Sequence, residues 1–368
     1  MVRVLLVNQA KIPHYRVPIY GYLAKYLGRY GFELTVASAG VEPGNPHIIE
    51  FNYEDMPLNI TNILKFIIRE RIEIVIFWVN LKYLYLFPVC FILKFILRRK
   101  IVYWGHGRDL LDKKARLKNV CYAVQHVMAD AIVLYAEHLK QYVIPFFHKK
   151  TFVANNTLCI SYKGFESGVT REDILAQYGI RTKKNIICVG RMQKRKRIEN
   201  LVEAVIEIGR EDIGLILVGP DPEGVLNEID GSNIYKLGPI YGDTKFDLLS
   251  AADVYCLPGA LGLSIVDAFY CGLPIITEDG DESPEIMYLK DGVNGFLVPH
   301  GDVRQLAARL KQILDDDLLK KRFAREAVKE INTSGHIDKM CNGFKQALLF
   351  LGRREASEVT KESKTSIP

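Results

Sequence analysis

The chain has 368 residues, 49% hydrophobic and 25% charged, which is enough apolar material for two cores at about 100–200 residues per domain and excludes a disordered chain. Charge is uneven: residues 1–150 carry 21 Lys and Arg against 11 Asp and Glu, whereas residues 151–368 carry 28 against 32. A basic first half points to an anionic partner such as a membrane surface, a phosphorylated lipid or nucleic acid.

In chain order, strand-like runs fall at 2–7 (VRVLLV), 33–38, 73–79, 100–105, 131–135 and 151–155. Helical patterns lie between several of them, notably 18–31, and this βαβ rhythm predicts a parallel sheet covered by helices. The N-terminus enters the first run directly, without the apolar stretch and cleavage site of a signal peptide. The most apolar stretch, YLYLFPVCFILKFIL (83–97), is shorter than the ~20 residues that span a bilayer, and Pro88 and Lys94 interrupt it. A helix over 81–97, followed by Arg98, Arg99 and Lys100, reads either as buried packing or as an interfacial helix on an anionic leaflet.

Residues 160–184 are polar and irregular, as in a linker with one short helix. The rhythm then restarts with runs at 185–190, 214–219, 233–238, 251–258 and 273–277, and helices at 198–209 and near 243–250. Two doubly wound α/β units in tandem are expected, with a ligand at the strand C-termini in the cleft between them. The expected bounds are 1–160 for the first domain, 161–184 for the linker and 185–335 for the second domain. A helical pattern over 303–332 closes that domain, a final helix covers 336–352, and a polar tail, 353–368, reads as disordered.

Three segments offer chemistry. VGRMQKRKRIENLVEA (189–204) places Gly190 and Arg191 at a strand end and Lys196 just before a helix. Two cations there suit a diphosphate, Arg by forked bonds and Lys as a point charge, although a solvated basic loop reads equally well. In VYWGHGRDL (102–110), His106 stands between two glycines that allow close approach of a ligand; a loop histidine satisfied by its neighbours is the alternative. In GALGLSIVDAF (259–269) one carboxylate, Asp267, lies in otherwise apolar sequence. The turn before it sits at a helix N-terminus, where free amides suit phosphate, and Asp267 could accept bonds from a ribose diol. Ser264-x-x-Asp267 is also the pattern of a capping box, which would satisfy helix-end amides only.

Other chemistries find little support. The seven cysteines form no CxxC and sit mostly among apolar residues, as reduced thiols in a cytoplasmic protein do. The eight histidines show no metal spacing, and the acidic run 278–285 lacks the spacing of a calcium loop. There is no dinucleotide fingerprint, P-loop, nucleophile elbow or nucleic-acid recognition motif.

Together these segments resemble the retaining glycosyltransferases of family 4 (glycosyl transferases group 1), over nearly the whole chain. The segment 189–204 resembles their Gly-Arg-(x)4-Lys donor motif. Residues 251–302 resemble their acidic motif, followed by Gly-x-Pro, Pro-Glu and Gly-x-x-Gly segments. The resemblance implies the GT-B fold, two facing Rossmann-like domains with a cleft between them and a last helix crossing back to the first. By position, Gly190, Arg191 and Lys196 would hold the donor diphosphate, supported by the amides of Leu261, Gly262 and Leu263 beside Ser264. Asp267 would bind the nucleotide ribose, and His106 would approach the donor sugar.

Two departures stand out. The family's acidic motif has two Glu eight positions apart; here the second is Asp267 and the first is Gly259. A carboxylate from Glu278, Asp279, Asp281 or Glu282 is the expected replacement. Near the N-terminus, QAKIPHYRVP (9–18) replaces a Gly-Gly loop, which makes Tyr15 and Arg16 either acceptor contacts or caps of the following helix.

The implied reaction moves a sugar from a nucleotide diphosphate sugar to a glycan or lipid-linked acceptor, with retention and with no metal or other cofactor. Bacterial surface polysaccharide assembly would fit, with the basic half in peripheral contact with the inner face of the plasma membrane and nucleic acid not a partner. A sugar-nucleotide epimerase of the same fold and a non-catalytic donor-binding subunit are the alternatives.

Overall fold

The apolar runs form two all-parallel sheets, one in each of two units, Met1–Cys159 with Ile337–Pro368 and Ile160–His336. The computed structural model describes residues 1–78, 86–110, 116–166, 168–280 and 283–365. Parallel strands are covered on both faces, which is why their sequences are continuous apolar runs rather than alternating ones.

The first unit contains β1 (Val2–Val7), α1 (Arg16–Gly28), β2 (Phe32–Ser38), β3 (Asn52–Asp55), α2 (Ile60–Arg69) and β4 (Ile74–Trp78). There follow α3 (Leu86–Phe91), β5 (Lys100–Gly105), α4 (Arg116–Met128), β6 (Ala131–Leu134) and β7 (Thr151–Val153). The strand order is β3-β2-β1-β4-β5-β6-β7, so the winding direction reverses between β1 and β4, whose register pairs Val4 with Ile74. Helix α2 starts where the Asn59 side chain accepts the Asn62 amide. It buries Ile63, Phe66 and Ile67 against Leu5, Val75 and Phe77, each worth about 1.5–3 kcal/mol of apolar burial.

The second unit contains α5 (Arg171–Gln177), β8 (Lys184–Val189), α6 (Ile198–Ile208), β9 (Ile213–Val218), β10 (Ile234–Gly238) and α7 (Gly242–Ala251). It continues with β11 (Val254–Cys256), α8 (Ser264–Tyr270), β12 (Ile275–Glu278), β13 (Gly295–Val298), α9 (Val303–Asp315) and α10 (Asp317–Thr333). Its order is β10-β9-β8-β11-β12-β13, which reverses between β8 and β11. The last helix, α11 (Ile337–Thr365), is counted with the first unit and packs on β6, β7 and α1. Gly343 permits this approach, because a Cβ there would lie 2.1 Å from the Val153 carbonyl oxygen.

Several boundaries differ from those expected. Strand β3 was not read from the sequence because NYED is a half-exposed edge strand with no apolar run. The short β13 was hidden behind Gly295. The helical stretch 303–332 is two helices, broken where the Asp316 side chain caps α10 by accepting the Leu319 amide. The helix expected over 81–97 is described from Leu86, with Ile92–Ile96 wound as a π-turn; residues 81–85 lie outside the described residues. Helix α11 runs to Thr365, through the segment expected to be disordered, whose Arg, Glu, Ala and Lys are good helix formers.

Candidate functional site

In the second unit the predicted donor residues gather at the ends of β8 and β11, the two strands flanking the reversal, where open α/β sheets bind ligands. Gly190 follows β8 with φ +143°, and Gly219 follows β9 with the same value. A Cβ on Gly219 would lie 1.8 Å from the Gly190 carbonyl oxygen, so the strand ends close backbone to backbone. Arg191 then leaves the sheet exposed, with no hydrogen bond or ion pair among the described residues.

A 3-10 turn, Lys194–Lys196, follows. Lys196 is buried, only 8% exposed, and its Nζ donates to the Ala260 carbonyl at 3.1 Å. The same ammonium lies 3.4 Å from where a Cβ on Gly190 would stand. A buried lysine is costly unless its charge is satisfied, and this one bridges the strand end and the turn after β11.

Arg197 has the left-handed φ of 52°, rare for a bulky residue. This conformation turns its side chain inward. Nη2 donates to the Pro258 carbonyl at 2.7 Å, Nε lies 3.1 Å from the Glu278 carboxylate, and Nη1 meets His300. Glu278 is fully buried and also accepts from Asn200 Nδ2 (2.7 Å) and the Gly301 amide (2.8 Å). The Gly259 amide donates to the Lys196 carbonyl at 3.0 Å. A Cβ on Gly259 would lie 2.5 Å from the Arg195 carbonyl oxygen and 3.1 Å from Arg197 Nε. Position 259 therefore has no room for a side chain. The expectation that Glu278 replaces the missing carboxylate is corrected: burial and three partners, Arg197, Asn200 and Gly301, commit it to the scaffold. Asp279 is exposed and accepts its neighbour's amide, Gly280 N–H, at 2.7 Å; Asp281 and Glu282 lie outside the described residues.

The turn 259–263 holds Ala260 and Gly262 at positive φ, 43° and 58°. Leu261 is buried, and the Gly262 amide points to Ser283 Oγ at 3.4 Å. The capping box does not form. Leu263 occupies the cap position of α8 with no side-chain bond, and Ser264 Oγ donates to the Leu261 carbonyl at 2.6 Å. The Asp267 carboxylate instead accepts from Lys245 Nζ on α7 at 2.8 Å, and its Oδ1 is buried with no hydrogen-bond partner among the described residues. Burial pushes the Asp267 carboxyl above the ordinary range, with Lys245 pulling it back. Nothing local in the sequence marks Lys245, whose reach from α7 across to α8 is tertiary.

In the first unit, His106 follows β5 half-buried, its ring 4.8 Å from that of Tyr135. Its ring nitrogens have no hydrogen-bond partner among the described residues. Burial first and the Arg16 charge second push it down to about 4, against the pull of Asp109, so near neutral pH it is an uncharged imidazole able to donate and to accept. Tyr15 is half-buried against His14. Arg16 departs from expectation. It is 4% exposed, lies 4.8 Å over the Trp104 ring and donates to Tyr135 Oη at 3.1 Å, so it braces the ends of β5 and β6 rather than offering an exposed acceptor contact.

Two Rossmann-like units, the second with a basic strand-end site, define a protein of GT-B architecture. The crystal structure of HepE of Anabaena in complex with UDP-glucose has the same fold, with a TM-score of 0.75 and 16% identity, covering 96% of this chain and 100% of that one. Residues 183–316, which carry the strand-end site, match the family Glycosyl transferases group 1. An uncharacterised glycosyltransferase of Methanocaldococcus jannaschii is 23% identical over 68% of each chain. A phosphatidyl-myo-inositol mannosyltransferase of Mycobacterium leprae is 31% identical over 164 residues, 41% of this chain and 43% of the relative.

Proposed function

We propose that this chain transfers a sugar from a nucleoside diphosphate sugar to a hydroxyl of a glycan or lipid-linked acceptor, with retention of anomeric configuration. The observation that carries this reading is Lys196, a buried ammonium bridging the end of β8 and the turn after β11, beside the exposed Arg191. Breaking the bond between the anomeric carbon and the diphosphate leaves negative charge on the departing oxygen. Arg191 and Lys196 stabilise it, each by about 2–4 kcal/mol if they act as single oxyanion donors do. The departing phosphate oxygen takes the acceptor hydroxyl's proton as the new bond forms on the same face, so no protein nucleophile takes part. Asp267 Oδ1 accepts from the ribose diol. His106 donates to the sugar, and Tyr15 contacts the acceptor.

UDP-glucose bound by the HepE fold neighbour and the lipid acceptor in the mannosyltransferase's name support the donor and acceptor classes. Surface polysaccharide assembly and contact of the basic first unit with an anionic membrane belong to the same reading. The test is thermal melting of wild type and Lys196→Ala with UDP-, GDP-, ADP- and dTDP-sugars, where a ligand at ~100 times its Kd adds about 2.7 kcal/mol. One base class should stabilise the wild type and not the variant. A wild type unmoved by every donor overturns the reading, and binding without product when acceptors are added makes the chain a donor-binding subunit.

A further inference from the structure

We infer that Arg16 is a positioning residue for His106: held on Trp104 and Tyr135, its guanidinium fixes the imidazole at the end of β5 and bars a second positive charge from it. This rests on the reading above, in which His106 donates to the sugar, and adds the residue that keeps it fit to do so. Arg16 stands where stability alone would not put a cation. It opens α1 on the helix's buried stripe, which Tyr20, Leu23 and Leu27 continue at helical spacing. A charge taken out of water is costly. The first turn of a helix, which holds no acid here, opposes a positive one. Such local rules are broken most often at working sites.

The contacts of Arg16 lead to one side chain. Its Nη2 donates to Tyr135 Oη at 3.1 Å, and its guanidinium covers the Trp104 ring at 4.8 Å. The Tyr135 amide donates to the Gly105 carbonyl at 3.4 Å, and the Tyr135 ring lies 4.8 Å from that of His106. Tyr103 holds the backbone on both sides of His106: its hydroxyl accepts the Gly107 amide at 3.0 Å, and a Cβ on Gly105 would lie 2.5 Å from the same oxygen. The charges that bear on the ring are Arg16, from α1, and Asp109, from its own loop. Asp109 is paired with Lys118 of α4 at 3.0 Å, and Arg108 lies over the Tyr142 ring at 4.7 Å. The Tyr103 and Tyr135 phenols are neutral, since burial raises both. Burial strips water from an imidazolium and Arg16 repels it, so the ring stays neutral and keeps an N–H to donate. Neutrality matters because departure of the diphosphate leaves positive charge on the sugar, which an imidazolium beside it would oppose.

The test is NMR titration of the imidazole resonances of the full chain, with His106 assigned through His106→Gln. The wild-type ring should take up its proton only at about 4. Arg16→Gln keeps a donor and removes the charge, and should raise that midpoint by about 1 pH unit. Arg16→Lys keeps the charge and should return it most of the way. Both variants lose the forked bonds, so a merely structural arginine would move the two alike. Tyr135→Phe keeps the ring beside His106 and unties the guanidinium; it should raise the midpoint by a smaller step, which carries the test if Arg16→Gln does not fold. In sugar transfer, the acid limb of kcat should move with the midpoint. A wild-type midpoint near the ordinary value of about 6.5, or one unmoved in the folded variants, would overturn the proposal. So would an unmoved midpoint with a raised acceptor KM, which would make Arg16 an acceptor contact. A midpoint that moves while the pH profile of transfer stays still would uphold the pairing of Arg16 with His106 and strike His106 from the reaction proposed above.

Discussion

At the scale of the residue, Asp267 is set by Lys245. Burial favours the neutral acid, the ammonium at 2.8 Å favours the carboxylate, and burial is the larger effect. In the proposed reaction the donor ribose is held by the Asp267 carboxylate as acceptor, so affinity should fall as pH drops through a midpoint above the usual aspartate range. Lys245→Met removes the opposing pull and should move that midpoint to higher pH. Each unit of movement is tenfold in affinity on the acid side, about 1.4 kcal/mol, with little change in the alkaline limit. Titration calorimetry between pH 5 and 8 measures this. An unmoved profile would mean that Lys245 does not position the ribose site through Asp267.

At the scale of the element, the loop after β8 and the turn after β11 are held as one piece. Arg197 reaches Pro258 from one loop, the Gly259 amide returns to the Lys196 carbonyl, and Glu278 at the end of β12 anchors Arg197, Asn200 and Gly301. Glu278→Ala strands the guanidinium and leaves two donors unpaired. We expect a loss of about 2–4 kcal/mol in urea unfolding, less than the full range for buried pairs because Arg197 keeps some solvent. Donor affinity should fall with it, since Lys196 is aimed by the same turn. Glu278→Gln, which keeps the shape and one acceptor, should recover part of both.

At the scale of the whole molecule, two histidines of the first unit make stability depend on pH. His126 is 1% exposed, its ring 5.0 Å from that of Tyr103, and burial and then the Lys150 charge push it down to about 4; His106 is lowered likewise. The unfolded chain takes up these protons near pH 6.5, the folded chain only near 4. Stability is therefore full above pH 6.5 and lost progressively as pH falls to 4, by on the order of 2 kcal/mol for His126. Scanning calorimetry from pH 7.5 to 4.5 should show this decline, and His126→Phe should flatten part of it.

The boundary between what the chain order reveals and what packing decides runs through particular residues. The strands β1, β5 and β8 were legible because burial on both faces demands uninterrupted apolar sequence, and Arg191 and Lys196 were legible because their positions follow from a strand end. By contrast β3, an edge strand with little apolar burial, carried no pattern. The Ser264-x-x-Asp267 pattern fits a cap as well as a ligand site; the folded turn decided against the cap, with Leu263 at the cap position, Ser264 bonded back to Leu261 and Asp267 drawn to Lys245, 22 residues away on another helix. Arg16 reads from the sequence as an acceptor contact or a helix cap and Glu278 as a replacement carboxylate, yet both are buried, because long-range partners, Trp104 and Tyr135 for one and Arg197, Asn200 and Gly301 for the other, supply what water would. The sequence by itself determined the two-unit parallel architecture and the strand-end cations, since both follow from local periodicity. Only the tertiary structure decided which charges are paired and which glycine excludes a side chain, since these depend on neighbours that folding brings from far along the chain.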